Sequence, residues 1–176
     1  MAKKRAERGG MFASERLVDA FNRQVGNEMQ ASLQYVSIAS YLSVQNLPEL
    51  ARTFYEQGDE ERAHAMRFVR FIVDVGGPVR MPAVPAPKSD FRSAEECASL
   101  ALEAEKEVTR QINDLVALAR DESNTLALRF LDYFVTEQLE EVNKMTALLA
   151  LLRRAGEEGL LYVEDYLSRR GVTPSS

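Results

Sequence analysis

Four long stretches of this chain each set apolar side chains at alternating spacings of three and four, and one acid interrupts each stripe near its middle. The first stripe is Leu17, Phe21, Gln24, Glu28, Ala31, Tyr35, Ile38 and Leu42; the second is Phe54, Gly58, Glu61, Ala65, Phe68 and Ile72. The third is Ala98, Ala101, Glu105, Val108, Ile112, Leu115 and Ala119; the fourth is Ala127, Leu131, Phe134, Gln138, Glu141, Met145, Leu148 and Leu152. That period belongs to one face of a helix. A carboxylate buried without a partner loses hydration worth several kcal/mol or more. Four of them, Glu28, Glu61, Glu105 and Glu141, need a common partner, and a pair of divalent cations balances their charge.

Helix ends follow from the capping residues. Ser14 precedes the first helix, Pro48 suits the first turn of the second, Ser93 with Glu96 reads as a capping box for the third, and Asn124 suits the start of the fourth. Stops fall near Val44, Gly76–Gly77, Asp121 and Gly156, so the helix midpoints lie close to residues 28, 61, 107 and 139. Midpoints of bundled helices share one height whichever way each helix runs, so the acids converge. The fold class expected is all-α: a four-helix bundle with a short fifth C-terminal helix over Leu160–Arg169, packed through Leu160, Leu161, Val163 and Leu167.

The connection from Gly77 to Asp90 holds Pro78, Pro82, Pro85 and Pro87, which keep it extended. At ~3.1 Å per residue it reaches roughly 40 Å, about the length of one of these helices. It can therefore run the length of the bundle and leave helices two and three parallel. We divide the chain into a mobile basic tail (1–13), one bundle domain (14–170) and a disordered C-terminal tail (171–176).

Composition narrows the function classes. A formal net charge of −5 disfavours non-specific nucleic-acid binding, and the few basic residues of the tail make a thin case for it. No apolar run approaches the ~20 residues of a membrane span. A single cysteine, Cys97, excludes an internal disulfide framework, fits a cytoplasmic location and reads as a small buried hydrophobe.

The chemistry lies in two motifs of equal spacing. Glu61 and His64 form Glu-x-x-His on helix two, and Gln138 and Glu141 repeat that spacing on helix four. Residues three apart on a helix project to one side, so each pair can grip one ion, with Glu28 and Glu105 adding one carboxylate each. Oxygen-rich ligands with one nitrogen suit iron or manganese more than structural zinc. Di-iron carboxylate bundles take one Glu from each of two helices and Glu-x-x-His from the other two. This chain matches half of that pattern. Gln138 and Glu141 replace a carboxylate and an imidazole, which predicts a weaker second position. Glu60, Glu137 and Glu140 flank these residues, as a solvated acidic face or as a third metal position.

With these motifs the chain resembles the prokaryotic non-haem ferritins from Ser14 to Arg170, through Asn27-Glu28 and Tyr35, Glu60-Glu61-Arg62-Ala63-His64, Glu105, and Glu137-Gln138-Leu139-Glu140-Glu141. The resemblance implies a ferroxidase centre. Glu28, Glu61 and His64 would hold the first iron, with Glu61 bridging, and Glu105 and Glu141 the second, with Gln138 beside it. Tyr35 would be a redox-active neighbour, and Glu60, Glu137 and Glu140 an extra iron site. Tyr35, Glu61 and Gln138 are then the residues expected in the reaction itself. The haem-binding relatives carry Met where this chain has Arg62, so no haem is expected. The implied function is storage and detoxification of iron: Fe(II) is oxidised by dioxygen or peroxide and kept as mineral in a hollow homo-oligomer of twenty-four subunits. The alternative is a di-iron oxidase or peroxide scavenger that stores nothing.

Overall fold

A computed structural model describes residues 11–170 and 172. Its helices are α1 (Glu15–Val44), α2 (Pro48–Asp74), α3 (Ala94–Asp121), α4 (Thr125–Ala155) and α5 (Leu160–Arg170), with one 3-10 turn at Glu157–Gly159 before α5. No strand occurs among the described residues. None of these helices is long and apolar enough to cross a membrane.

The caps form as the residue types demand. The Ser14, Ser93 and Asn124 side chains accept from the backbone N–H of Leu17, Glu96 and Ala127 respectively. The box at α3 is only half made: Glu96 bonds the Arg92 N–H and Lys88 rather than turning back to Ser93. Three helices end alike. Leu47, Gly77 and Asn124 donate to the carbonyls of Leu42, Ile72 and Ala119, five residues back, beside Asn46, Gly76 and Ser123 at positive φ. α2 has no side-chain cap of its own. Its first N–H groups, on Glu49 and Leu50, donate instead to the Glu164 carboxylate of α5, at 2.8 and 2.9 Å, where the helix dipole favours an anion.

The crossover tracks α1. Asn22 binds both Pro78 O and Arg80 N, while Gln34 and Ser37 bind Lys88. Moving along the crossover thus means moving along α1 toward its C-terminus, so α3 starts there and lies parallel to α2. The approach is close: a methyl group at Gly26 would overlap the Pro82 ring.

Two apolar clusters make the core. One joins the C-terminal half of α1 and the N-terminal half of α2 to the start of α3, the end of α4 and α5. The other joins the opposite halves around Phe21, Phe68 and Phe134. Between them lies a polar waist: Glu28, Ser32, Gln57, Glu61, His64, Glu105, Gln138 and Glu141, all buried.

Two expectations change. Residues 11–13, assigned to the mobile tail, are tied down: the Phe12 N–H donates to Val75 O, Asn124 donates to Phe12 O, and Ala13 is buried. Residues 1–10, 171 and 173–176 of the expected tails lie outside the described residues. In α5, Val163 and Leu167 are the buried contacts, whereas Leu161 is 78% exposed. With Leu161 turned out, Glu164 shares the inward side with Val163 and reaches α2. Cys97 is buried as expected, and burial pushes its thiol up to about 12.

Candidate metal centre

The waist exists because each helix places its interrupted stripe inward at one height. Glu28 (1% exposed), Glu61 (0%) and Glu105 (1%) are as buried as the leucines around them. Glu28, Glu61 and His64 each offer a ligand atom, and these atoms lie within 4.8 Å of one another. His64 Nδ1 is 3.3 Å from Glu61 Oε2. The imidazole is wedged edge-on against the Phe134 and Tyr133 rings, at centroid distances of 5.5 and 6.0 Å, which fixes its plane.

Two carboxyl oxygens at this end go unmet. Glu28 Oε2 and Glu61 Oε1 are buried with no hydrogen-bond donor. Burial raises both carboxyl pKa values well above the ordinary range. Glu61 adds to the rise at Glu28, and Glu105 to the rise at Glu61. Gln24 offers one amide hydrogen to Glu28 Oε1 at 2.9 Å, and is itself anchored by Gln111 and Asn27. Two buried acids with unsatisfied oxygens beside a histidine make a cation-binding arrangement by charge and by donor type.

The other end differs. The Tyr35 hydroxyl donates to Glu105 Oε1, and Gln138 Nε2 lies 3.4 Å from Glu105 Oε2. Thr109 donates to Gln138 Oε1 at 2.8 Å, which orients the amide with its NH₂ toward Glu105. Glu141 Oε2 accepts from Gln57 Nε2 at 2.8 Å, and Glu141 Oε1 is 3.8 Å from Lys144 Nζ. Burial is the main cause lifting Glu141 to about 7, opposed by Lys144. Burial also raises Glu105, less so because Tyr35 donates to it. The Tyr35 phenol is pushed well up by burial and by Glu105, and stays protonated.

The structure thus brings together Glu28, Tyr35, Glu61, His64, Glu105, Gln138 and Glu141. Glu60, Glu137 and Glu140 sit outside the buried waist: Glu60 and Glu140 are exposed and Glu137 is half-buried. Glu60 Oε2 is 3.3 Å from Lys144 Nζ. Glu137 lies by Tyr133, whose hydroxyl is raised to about 12 by burial and then by that carboxylate, under the Arg67 guanidinium 3.7 Å above its ring. Sequence reasoning missed Gln57 and Lys144. The usable signal was position: Gln57 precedes Glu61 by four residues and Lys144 follows Glu141 by three, so each shares its acid's face.

Known proteins are similar to this chain. The family described as Ferritin-like domain matches residues 18–155. The chain is 39% identical over 146 residues to "Ferritin BfrB" of Mycolicibacterium smegmatis, covering 83% of this chain and 80% of that protein. It is 33% identical to "Bacterial non-heme ferritin" of Staphylococcus aureus, over 82% of this chain and 87% of the relative. Among solved structures, an open pore ferritin from the archaeon Archaeoglobus fulgidus superimposes with a TM-score of 0.87 at 33% identity, covering 91% of this chain and 99% of the other. With that match across the bundle and relatives of this identity, the chain belongs to the ferritin-like domain family.

Proposed function

We propose that this chain stores and detoxifies iron, with ferrous ions as its substrate and the waist of each bundle as a ferroxidase centre. The observation that carries the reading is the pair of donorless buried oxygens on Glu28 and Glu61, with His64 in reach of the same point. Such oxygens are costly in the folded protein unless a cation meets them. Membership of the ferritin-like family supports iron as that cation.

In this reading Glu28, Glu61 and His64 hold the first ferrous ion. Glu61, whose neighbours include both Glu28 and Glu105, bridges to the second. Glu105 and Glu141 hold the second, with Gln138 beside it. Holding both ions in one waist makes removal of two electrons effectively intramolecular. Each Fe(II) gives one electron, and dioxygen with two protons takes both and leaves as hydrogen peroxide; peroxide in turn can take two electrons from two further Fe(II), with two protons, and leave as two waters. Anionic oxygen ligands favour Fe(III), which drives the oxidation. Tyr35, hydrogen-bonded to Glu105, keeps a phenol against the second position as a neighbouring electron donor. The ferric product then collects as mineral in a hollow homo-oligomeric shell, for which the ferritins among the relatives are the guide, in the cytoplasm.

The test is aerobic loading of the assembled protein with Fe(II). We expect rapid oxidation and retention of iron far beyond two ions per subunit, with Glu61→Ala and His64→Ala abolishing the rapid phase while the particle stays assembled. Oxidation at the wild-type rate in both variants removes the site assignment. Turnover without retained iron removes storage.

A further inference from the structure

One cation in the waist belongs to the chain itself. Lys144, one turn beyond Glu141 on α4, reaches across to α2. There its ammonium donates to Gln57 Oε1 and lies 3.3 Å from Glu60 Oε2, while staying 3.8 Å from Glu141 Oε1. Its side chain is 22% exposed, against 50% for Glu60, so the contact is at the inner edge of the site rather than free in solvent. Gln57 is fully buried and passes its own amide hydrogen to Glu141. Lys144, Gln57 and Glu141 therefore form a connected set, with a positive charge between the Glu60 and Glu141 carboxylates.

We propose that Lys144 is a tethered cation that holds the position between Glu60 and Glu141 against a third ferrous ion and weakens the second. This rests on the ferroxidase reading above. Charge counting agrees with it: two divalent ions balance Glu28, Glu61, Glu105 and Glu141, and Lys144 balances Glu60. A further divalent ion there would have to bind against an ammonium that hydrogen-bonds Glu60 and lies 3.8 Å from Glu141. The expected extra site of Glu60, Glu137 and Glu140 thus gives way, in this chain, to a side chain that does the ion's electrostatic work. The second ion meets the same repulsion through Glu141, whereas the first, at Glu28, Glu61 and His64, does not touch Lys144.

Anaerobic calorimetry with Fe(II) on the assembled full chain tests this. The wild type should take up one tight and one weaker ion per subunit and no third. Lys144→Met should tighten the second ion by about tenfold or more, or add a third, because a unit charge within about 4 Å is removed from a poorly solvated site. Lys144→Arg should behave as the wild type, and Lys144→Gln serves if the Met variant does not assemble. A neutral variant whose isotherm superimposes on the wild type, an Arg variant that binds like the neutral one, or three ions on the wild type overturns the proposal. Loss of all binding in the wild type instead overturns the ferroxidase reading, and this inference with it; normal binding of the first ion separates the two failures.

Discussion

The two halves of the waist use the same residue types and differ in where their hydrogen bonds go. Around Glu28, Glu61 and His64 the carboxylates keep two buried oxygens without a donor. Around Glu105 and Glu141 the protein supplies donors itself, from Tyr35, Gln138 and Gln57, with the Lys144 ammonium 3.8 Å from Glu141. The first half leaves two buried oxygens that a cation could meet; the second has donors in place, although burial still raises Glu105 and Glu141. A cation entering the first half relieves a standing cost, whereas one entering the second must compete with bonds already made. In the proposed reading, two positions of similar composition would therefore fill in sequence, tight before weak.

The largest expected effect breaks the comparison from the tight side. Glu61→Ala removes a ligand shared by both positions, and Fe(II) affinity at the first should fall by about a hundredfold or more, read by anaerobic titration. Next is pH. Glu28, Glu61, Glu105 and Glu141 all have folded pKa values above their unfolded ones. Between the unfolded value of ~4.3 and the folded one, the folded state binds more protons, so the stability of the metal-free protein falls as pH rises. For Glu141 that window closes at about 7. Metal-free thermal midpoints should decline from pH 5 to pH 8. A divalent ion that binds only the folded state should add about 2.7 kcal/mol at a hundred times its dissociation constant, and the gap between metal-free and loaded melts should widen with pH. A gap that narrows with pH would contradict the burial of these acids.

A smaller effect separates the halves directly. Glu28→Gln replaces a buried carboxyl whose Oε2 has no donor, and should stabilise the metal-free protein at pH 8 by about 2 kcal/mol, or several degrees in the midpoint. Glu141→Gln removes a carboxylate that accepts from Gln57 and lies 3.8 Å from the Lys144 ammonium, and should give a smaller gain, since burial is there partly offset. Equal gains in the two variants would erase the distinction between tight and weak positions.

The bundle and its four inward acids were legible because they obey one rule of period. A stripe at helical spacing fixes which side chains turn inward, and the capping residues fix the midpoints; Glu28, Glu61, Glu105 and Glu141 are buried at one level as a result. The direction of the crossover was legible too, from four prolines and a length. What period alone hides is partner choice. Lys144 reads as a surface lysine beside Glu141, and only the packing of α4 on α2 shows that it reaches Gln57 and Glu60. Glu164 reads as a polar residue of a short helix, yet it caps the start of α2 more than a hundred residues away in sequence. Glu60 reads as an acid beside the inner residues, and its counter-charge, the Lys144 ammonium 3.3 Å away, lies on another helix. Long side chains bridging helices leave no periodic trace, so contacts of this kind appear only with the fold.

The smallest predicted effect bears on the second half alone. Tyr35→Phe deletes the hydroxyl that donates to Glu105 Oε1 and changes nothing else in volume, since the ring stays packed on Phe54 at a centroid distance of 5.9 Å. The metal-free protein should lose about 1 kcal/mol, the typical net worth of one hydrogen bond, set toward the larger side by the carboxylate left unmet in a dry place. The same change frees an oxygen of Glu105, so the second ion should bind more tightly while the first is unaffected. Stability and second-ion affinity thus move in opposite directions, which a merely loosened core would not produce. Thermal melts of the metal-free variant beside its anaerobic Fe(II) isotherm read both. A variant that lost stability and second-ion affinity together would place Tyr35 as support for the ligand rather than as its competitor.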